Sequence, residues 1–215
     1  MPKYIVGCEL NERYCQVSYY SEEQQEPLTL DNVMYDADRL YERATKRESE
    51  EIVHMLRDCL EQALKQFEEI EKLVFAVPKL DVDITRMLKG IGQRLGVAKK
   101  DIYVLDFKES FCNYMLYQPK ELWQYEAALF HGDRHEVKAC MLRKIHTGYG
   151  KGKDTFVTVD EVASAQMEEL SAVYPVLNVD RAPQADVQFR QFIQGVFEKK
   201  LVSSVFLVGE AFENN

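Results

Sequence analysis

The stretch Leu73-Val74-Phe75-Ala76-Val77-Pro78 is a continuous apolar run of strand length, closed by a proline. A strand that is apolar at every position has no wet face, so it suits a sheet covered on both sides, the usual environment of parallel strands. A second run of this kind, Ile102-Tyr103-Val104-Leu105, lies downstream. Between them Ile84, Met87, Leu88, Ile91 and Leu95 recur at helical spacing, with Asp83 as the expected N-cap and Gly96 where a C-terminal cap belongs. Strand, helix and strand in this order make a βαβ unit with parallel strands. A further helix is predicted from about Glu109 to Gln118, stopped by Pro119.

The same reading extends outward. Residues 3–8 and 14–20 have strand composition and flank the polar turn Leu10-Asn11-Glu12-Arg13; residues 27–30 are a third, short strand. Residues 31–48 are charged, with Tyr35, Leu40 and Tyr41 as possible anchors. Ser49 caps a helix with Glu50 and Glu51 in its first turn, where carboxylates suit the helix dipole. Ile52, Val53, Leu56, Leu60, Ala63, Leu64 and Phe67 form its apolar face, and its end is expected near Ile70.

Beyond residue 120 the pattern restarts. Strands are predicted at 125–130, 136–145 and 155–159, with a turn at His131-Gly132-Asp133-Arg134 and a Gly/Lys loop at 146–153. Residues 160–174 and 184–199 carry helical spacing, and Val205-Phe206-Leu207-Val208 is a last buried strand. The order is βββ-α-β-α-β-α, then βββ-α(α)-β. The expected fold class is therefore α/β, one unit duplicated, with lobes at 1–120 and 121–215.

Bulk properties narrow the function. The chain has 215 residues, 27 Lys and Arg against 36 Asp and Glu, and a formal charge of −9. Such a body is a poor general ligand for nucleic acid or anionic membrane, so neither is expected as a partner. No apolar run approaches the roughly 18 residues of a membrane span, and the short apolar segment after Met1 makes no secretory signal. Five scattered cysteines without a C-x-x-C read as reduced thiols, so a cytoplasmic location is expected.

Four local motifs, in order, resemble those of the actin-like ATPase superfamily, which includes actin, DnaK-type chaperones, sugar kinases and bacterial filament proteins. Residues 4–20 look like its first phosphate hairpin: Gly7 and Leu10 match, Glu9 stands where that family has Asp, and Asn11, Glu12 and Arg13 replace glycine and hydroxyl residues. Phe75-Ala-Val-Pro78 through Glu109 looks like the connecting region, with Glu109 opening the crossover helix. Residues 127–142 occupy the place of the second phosphate hairpin, with His131 for the family's Asp and Gly132-Asp133-Arg134 as the turn. Residues 205–212 look like the adenosine motif, where Gly209 matches and Glu210 replaces the second glycine.

The resemblance implies two ribonuclease H-like lobes of mixed sheet flanked by helices, the second incomplete or the chain a piece of something longer. In that family the hairpins hold ATP phosphates, and the acidic residues act through Mg²⁺ or position water. Three of the four motifs here have lost the groups that hold phosphate or adenine, so no cofactor is expected. The leading expectation is a non-catalytic pseudo-ATPase module, a scaffold or regulatory domain working through a protein partner or self-association. The alternative is a divergent Mg-dependent ATPase or sugar-type kinase, with Glu9, Glu109 and Asp133 as catalytic groups and Gly7, Asn11, Gly132, Gly209 and Glu210 around the nucleotide. A metal reading of His131, His135, Glu136 and Cys140 is disfavoured because the two histidines flank a turn. Tyr14, Tyr19, Tyr20, Trp123 and Phe212 are expected at the surface as interface aromatics.

Overall fold

The computed structural model describes residues 2–11, 14–24, 26–30, 33–34, 39–118, 123, 125–132, 136–147, 154–166, 191–197 and 202–208. The chain divides into two compact units, Met1–Ser110 and Phe111–Asn215.

In the first unit β1 (Tyr4–Leu10) is antiparallel to β2 (Tyr14–Ser21), which pairs with the short β3 (Leu28–Thr29) and β4 (Val33–Met34). On its other side β1 runs parallel to β5 (Ile70–Val77), and β5 parallel to β6 (Ile102–Asp106). The sheet order is β3-β2-β1-β5-β6. Val6, Cys8, Leu10, Leu73, Phe75 and Val77 point to one face, where α1 (Leu40–Thr45), α2 (Glu50–Leu64) and α3 (Val82–Arg94) complete a single core. The apolar run that opened the reading is therefore fully buried on one face only. Its alternate residues Val74 and Ala76 are half-buried, and Ile5 and Tyr103 on that same face are exposed.

Ser49 caps α2 as expected, its hydroxyl accepting the Ile52 N–H at 3.2 Å. The helix stops at Leu64 rather than Ile70. Phe67 instead packs against Tyr4 and Tyr19, with ring centroids 5.3 Å from each, and Ile70 pairs with Tyr4 as the first residue of β5. The cap of α3 is Asp81, not Asp83: its Oδ1 accepts the N–H groups of Asp83 and Ile84 at 3.0 and 2.9 Å. Gly96 ends the helix region with φ +85°, a conformation that glycine adopts without strain.

The second unit has the sheet order β10-β7-β8-β9. β7 (Glu126–Gly132), β8 (Glu136–Thr147) and β9 (Asp154–Gln166) form an antiparallel meander, and β10 (Ser204–Val208) lies parallel beside β7. Unit one has the same plan in β1, β2, β3 and β5; among the described residues, β6 extends only the first. Helix α4 (Phe107–Leu116), inside which the division of the chain falls, packs Phe111 and Met115 on one face of this second sheet. Phe192, Ile193, Val196 and Phe197 of the helical segment 191–197 pack on the other.

Residues 160–166 are strand, which overturns the helical expectation there; 167–174 lie outside the described residues. The strand is bulged: Cys140 pairs with Glu161 but Ala139 with Ala163, so Val162 is one residue too many.

Candidate functional site

Because β1, β5 and β6 are parallel, their carboxyl ends lie along one edge of the first sheet, the usual ligand-binding edge of open α/β sheets. Glu9 pairs with Ala76, and Ala76 with Leu105; one step further, Val77 pairs with Asp106. Glu9 and Asp106 thus stand two strand spacings apart, roughly 10 Å, and on opposite faces. Glu9 is half-buried on the face away from the helices. Gly7 lies within β1, paired with Ser18 and Val74, and a Cβ there would approach only the Ser18 carbonyl, at 3.9 Å. It is a strand residue with no turn to shape.

Asn11 closes the hairpin. Its backbone N–H donates to the Tyr14 oxygen at 3.1 Å, and its side-chain Oδ1 accepts the Tyr14 N–H at 2.9 Å. Both of these amides, at the base of a turn that resembles a phosphate loop, are engaged within the protein. Tyr14 itself is buried, contrary to the surface position expected of it.

Glu109 sits in the first turn of α4 and is exposed. Its N–H donates to Asp106 Oδ1 at 2.8 Å, so Asp106 caps the helix. The sequence reading passed over Asp106. Its signal was the Asp-x-x-Glu spacing of a capping box, Asp106 to Glu109.

The turn after β5 is held from the side. The Tyr41 hydroxyl donates to the Lys79 carbonyl at 2.6 Å, and burial together with the nearby Asp81 charge pushes this phenol well above its ordinary pKa. Beside the turn lies a cavity of about 460 Å³ lined by Ala44, Arg47, Ser49, His54, Asp83 and Met87, among others. Several of its polar groups already have partners: Asp83 pairs with Arg47 and Arg86, Ser49 with α2, and Asp81 with α3.

Cys8 and Cys15 share the core face of β1 and β2. The Cys8 thiol's hydrogen bond, burial and the charges of Cys8 and Glu9 raise Cys15 well above an ordinary thiol. A thiol held neutral in this way is a poor nucleophile.

In the second unit Gly132 is the buried last residue of β7, opposite Val137, and the ring of His131 packs 5.3 Å from Phe111. Asp133, Gly209 and Glu210 lie outside the described residues, as do His135 and Phe212. Trp123, expected at the surface, is buried: its indole caps α4 and Lys144 lies 4.2 Å above its ring. Among the described residues, no three His, Cys, Asp or Glu side chains converge as metal ligands, and no helix is long and apolar enough to cross a membrane.

The chain belongs to the family described as "Family of unknown function (DUF5716) C-terminal", which matches residues 18–215. Among curated proteins nothing matches. Of solved structures, the type II variant of the Aquifex aeolicus Ppx/GppA phosphatase is similar with a TM-score of 0.51 at 9% identity, over 97% of this chain and 68% of that one. A second structure of the Aquifex aeolicus family member gives 0.50 at 10% identity, over 97% and 66%. The chain thus spans about two thirds of the length of these phosphatases. A Bacteroides thetaiotaomicron protein with an actin-like ATPase fold and unknown function aligns over 95% of this chain and 90% of its own, at 7% identity and a TM-score of 0.43. The fold is of the actin-like ATPase type, two mixed sheets flanked by helices.

Proposed function

We propose that this chain is a non-catalytic actin-like module, a cytoplasmic scaffold or regulatory domain that works through protein contacts. The observation that carries the reading is the closed hairpin at Asn11, whose side chain occupies the Tyr14 amide and whose own N–H is bonded across the turn. A phosphate-binding turn needs such amides free to face the anion. The sequence adds to this: Glu12 brings a carboxylate to the same turn, and Glu210 brings another to the place of a glycine in the adenosine motif. Function resides in the site and not in the fold, so the phosphatase names of similar structures do not transfer by fold alone.

Calorimetric titration of the full chain with Mg-ATP and Mg-ADP tests this reading. No saturable heat is expected, and micromolar binding of either nucleotide overturns it. A second reading, a divergent Mg-dependent ATPase or sugar-type kinase, draws support from Glu9 and Glu109 lying at the same sheet edge. It requires phosphate release that collapses in Glu109→Gln; a flat assay across divalent metals removes it.

A further inference from the structure

We propose that the cavity between the first turns of α2 and α3 binds an aliphatic primary amine in its ammonium form, with the stem on an apolar wall and the charged head on Glu50 and His54. The cavity holds about 460 Å³ and lies within the first unit. That volume is in the range of small-molecule pockets, which combine an apolar lining with a few placed polar groups.

The wall comes from three helical segments. Ala44 of α1 and Ile84 of α3 are buried, and Val53 of α2 and Met87 of α3 are half-buried. Ile84 and Met87 are three residues apart on α3 and so share one face of it. Together these side chains offer an aliphatic stem a surface to cover, as lysine stems cover apolar surface while keeping the charged head in water. Met87 adds an unbranched chain that adapts to what lies on it.

The polar lining divides into engaged groups and unengaged ones. The Ser49 hydroxyl accepts the Ile52 N–H, Asp81 accepts two amides of α3, and Asp83 pairs with Arg47 and Arg86. Glu50 and His54 also line the cavity, and among the described residues neither has a hydrogen bond or ion pair. They are four residues apart on α2, hence neighbours on its surface. A carboxylate only accepts, and a neutral imidazole offers one ring nitrogen as acceptor. The ligand that satisfies both is rich in donors, and an ammonium has three donors and no acceptor.

Charge selects the same sign. Arg47 is the cation of the lining and is engaged by Asp83, whereas Glu50 and Asp81 are met by no cation. The Asp81 charge is felt at Tyr41, where it helps push the phenol up. The two helix N-termini offset about half a charge each. Against three carboxylates and one guanidinium, that leaves the lining negative, so a phosphate or carboxylate ligand is disfavoured.

Titration of the isotope-labelled full chain with diaminopentane, read by amide chemical shifts, tests the proposal. Saturable shifts are expected at Val53, His54, Ile84 and Met87. Pentanol and pentanoate, which share the stem, should bind about tenfold more weakly or worse. Glu50→Gln should weaken diaminopentane about tenfold, and Met87→Trp, which fills the cavity, should abolish the shifts. Glu51→Gln, in the same helical turn but outside the lining, should bind like the parent. Should Met87→Trp misfold, the comparison of Glu50→Gln with Glu51→Gln carries the test. A second arm uses Nα-acetyl-lysine methylamide: shifts with this probe too assign the site to a lysine side chain of a protein, and shifts with diaminopentane alone assign it to a free amine. No saturable shifts with either probe, pentanol or pentanoate binding as tightly, or unchanged binding in Glu50→Gln overturns the proposal. Neither probe carries a phosphate, so the outcome is independent of the Mg-ATP titration.

Discussion

The indole N–H of Trp123 donates to the main-chain oxygen of Met115 at 2.9 Å, with both side chains fully buried. Met115 lies in the last turn of α4, where carbonyls have no partner inside the helix. A single side chain thus ends the helix and fills the space between it and the second sheet. Trp123→Phe keeps much of the volume but loses this hydrogen bond, leaving the Met115 carbonyl with the longer bond from the Gln118 N–H at 3.3 Å, at a cost of about 0.5–1.5 kcal/mol. Trp123→Ala should cost about 3–5 kcal/mol. Urea unfolding followed by circular dichroism checks both; equal losses would show that the hydrogen bond and not the volume matters.

Asp81 and Asp83 are two residues apart and differ in what they hold. Asp81 accepts two backbone amides at the start of α3, whereas Asp83 makes exposed ion pairs with Arg47 and Arg86. Asp81→Ala is expected to cost about 1–2 kcal/mol. Asp83→Ala should cost under about 1 kcal/mol, because exposed pairs contribute little. Chemical denaturation of the two variants should rank them in that order.

Two glycines of α3 should respond with opposite signs to alanine. A Cβ on Gly92 would come within 2.7 Å of Ile102 Cδ1 and 3.1 Å of Leu73 Cδ2, where the helix meets β5 and β6. On Gly90 the nearest atom is Arg94 Nη1, at 3.8 Å. Gly92→Ala should destabilise by about 1–3 kcal/mol through overpacking. Gly90→Ala should stabilise by up to about 1 kcal/mol through helix propensity. Thermal denaturation of both variants reads the sign directly.

Tyr41 should make the protein sensitive to alkali. Burial raises its folded pKa above that of the unfolded chain, about 10. The unfolded state therefore releases this proton first as pH rises, and stability is lost progressively above about pH 10 while staying intact below it. Tyr41→Phe should lower stability near neutrality, through loss of the hydrogen bond to Lys79, yet flatten the alkaline slope. Stability measured from pH 8 to 11 tests this; an unchanged slope removes Tyr41 as the cause.

The carboxyl edge of the first sheet was only partly legible. Glu109 and Asn11 could be marked from their motif positions. The Asp106 cap was legible only as the Asp-x-x-Glu spacing with Glu109, a signal that the motif position of Glu109 overshadowed. That Glu9 and Asp106 fall on opposite faces follows from parallel register across β5, which no local pattern encodes.

What the amino-acid sequence determined by itself was short-range: strands of apolar and β-branched residues, the Ser49 cap, the left-handed Gly96, and the recurrence of one unit along the chain. These signals depend on spacings of a few residues, where sterics and local hydrogen bonds act. Tertiary structure decided the rest. Ile70 left the helical pattern because Tyr4, far away in the chain, offered it a strand partner. Residues 160–166 became strand because β8 pairs with them across a bulge. Trp123 went inside because the end of α4 supplied an acceptor for its indole. In each case a partner distant in sequence outweighed a local preference of less than about 1 kcal/mol per residue.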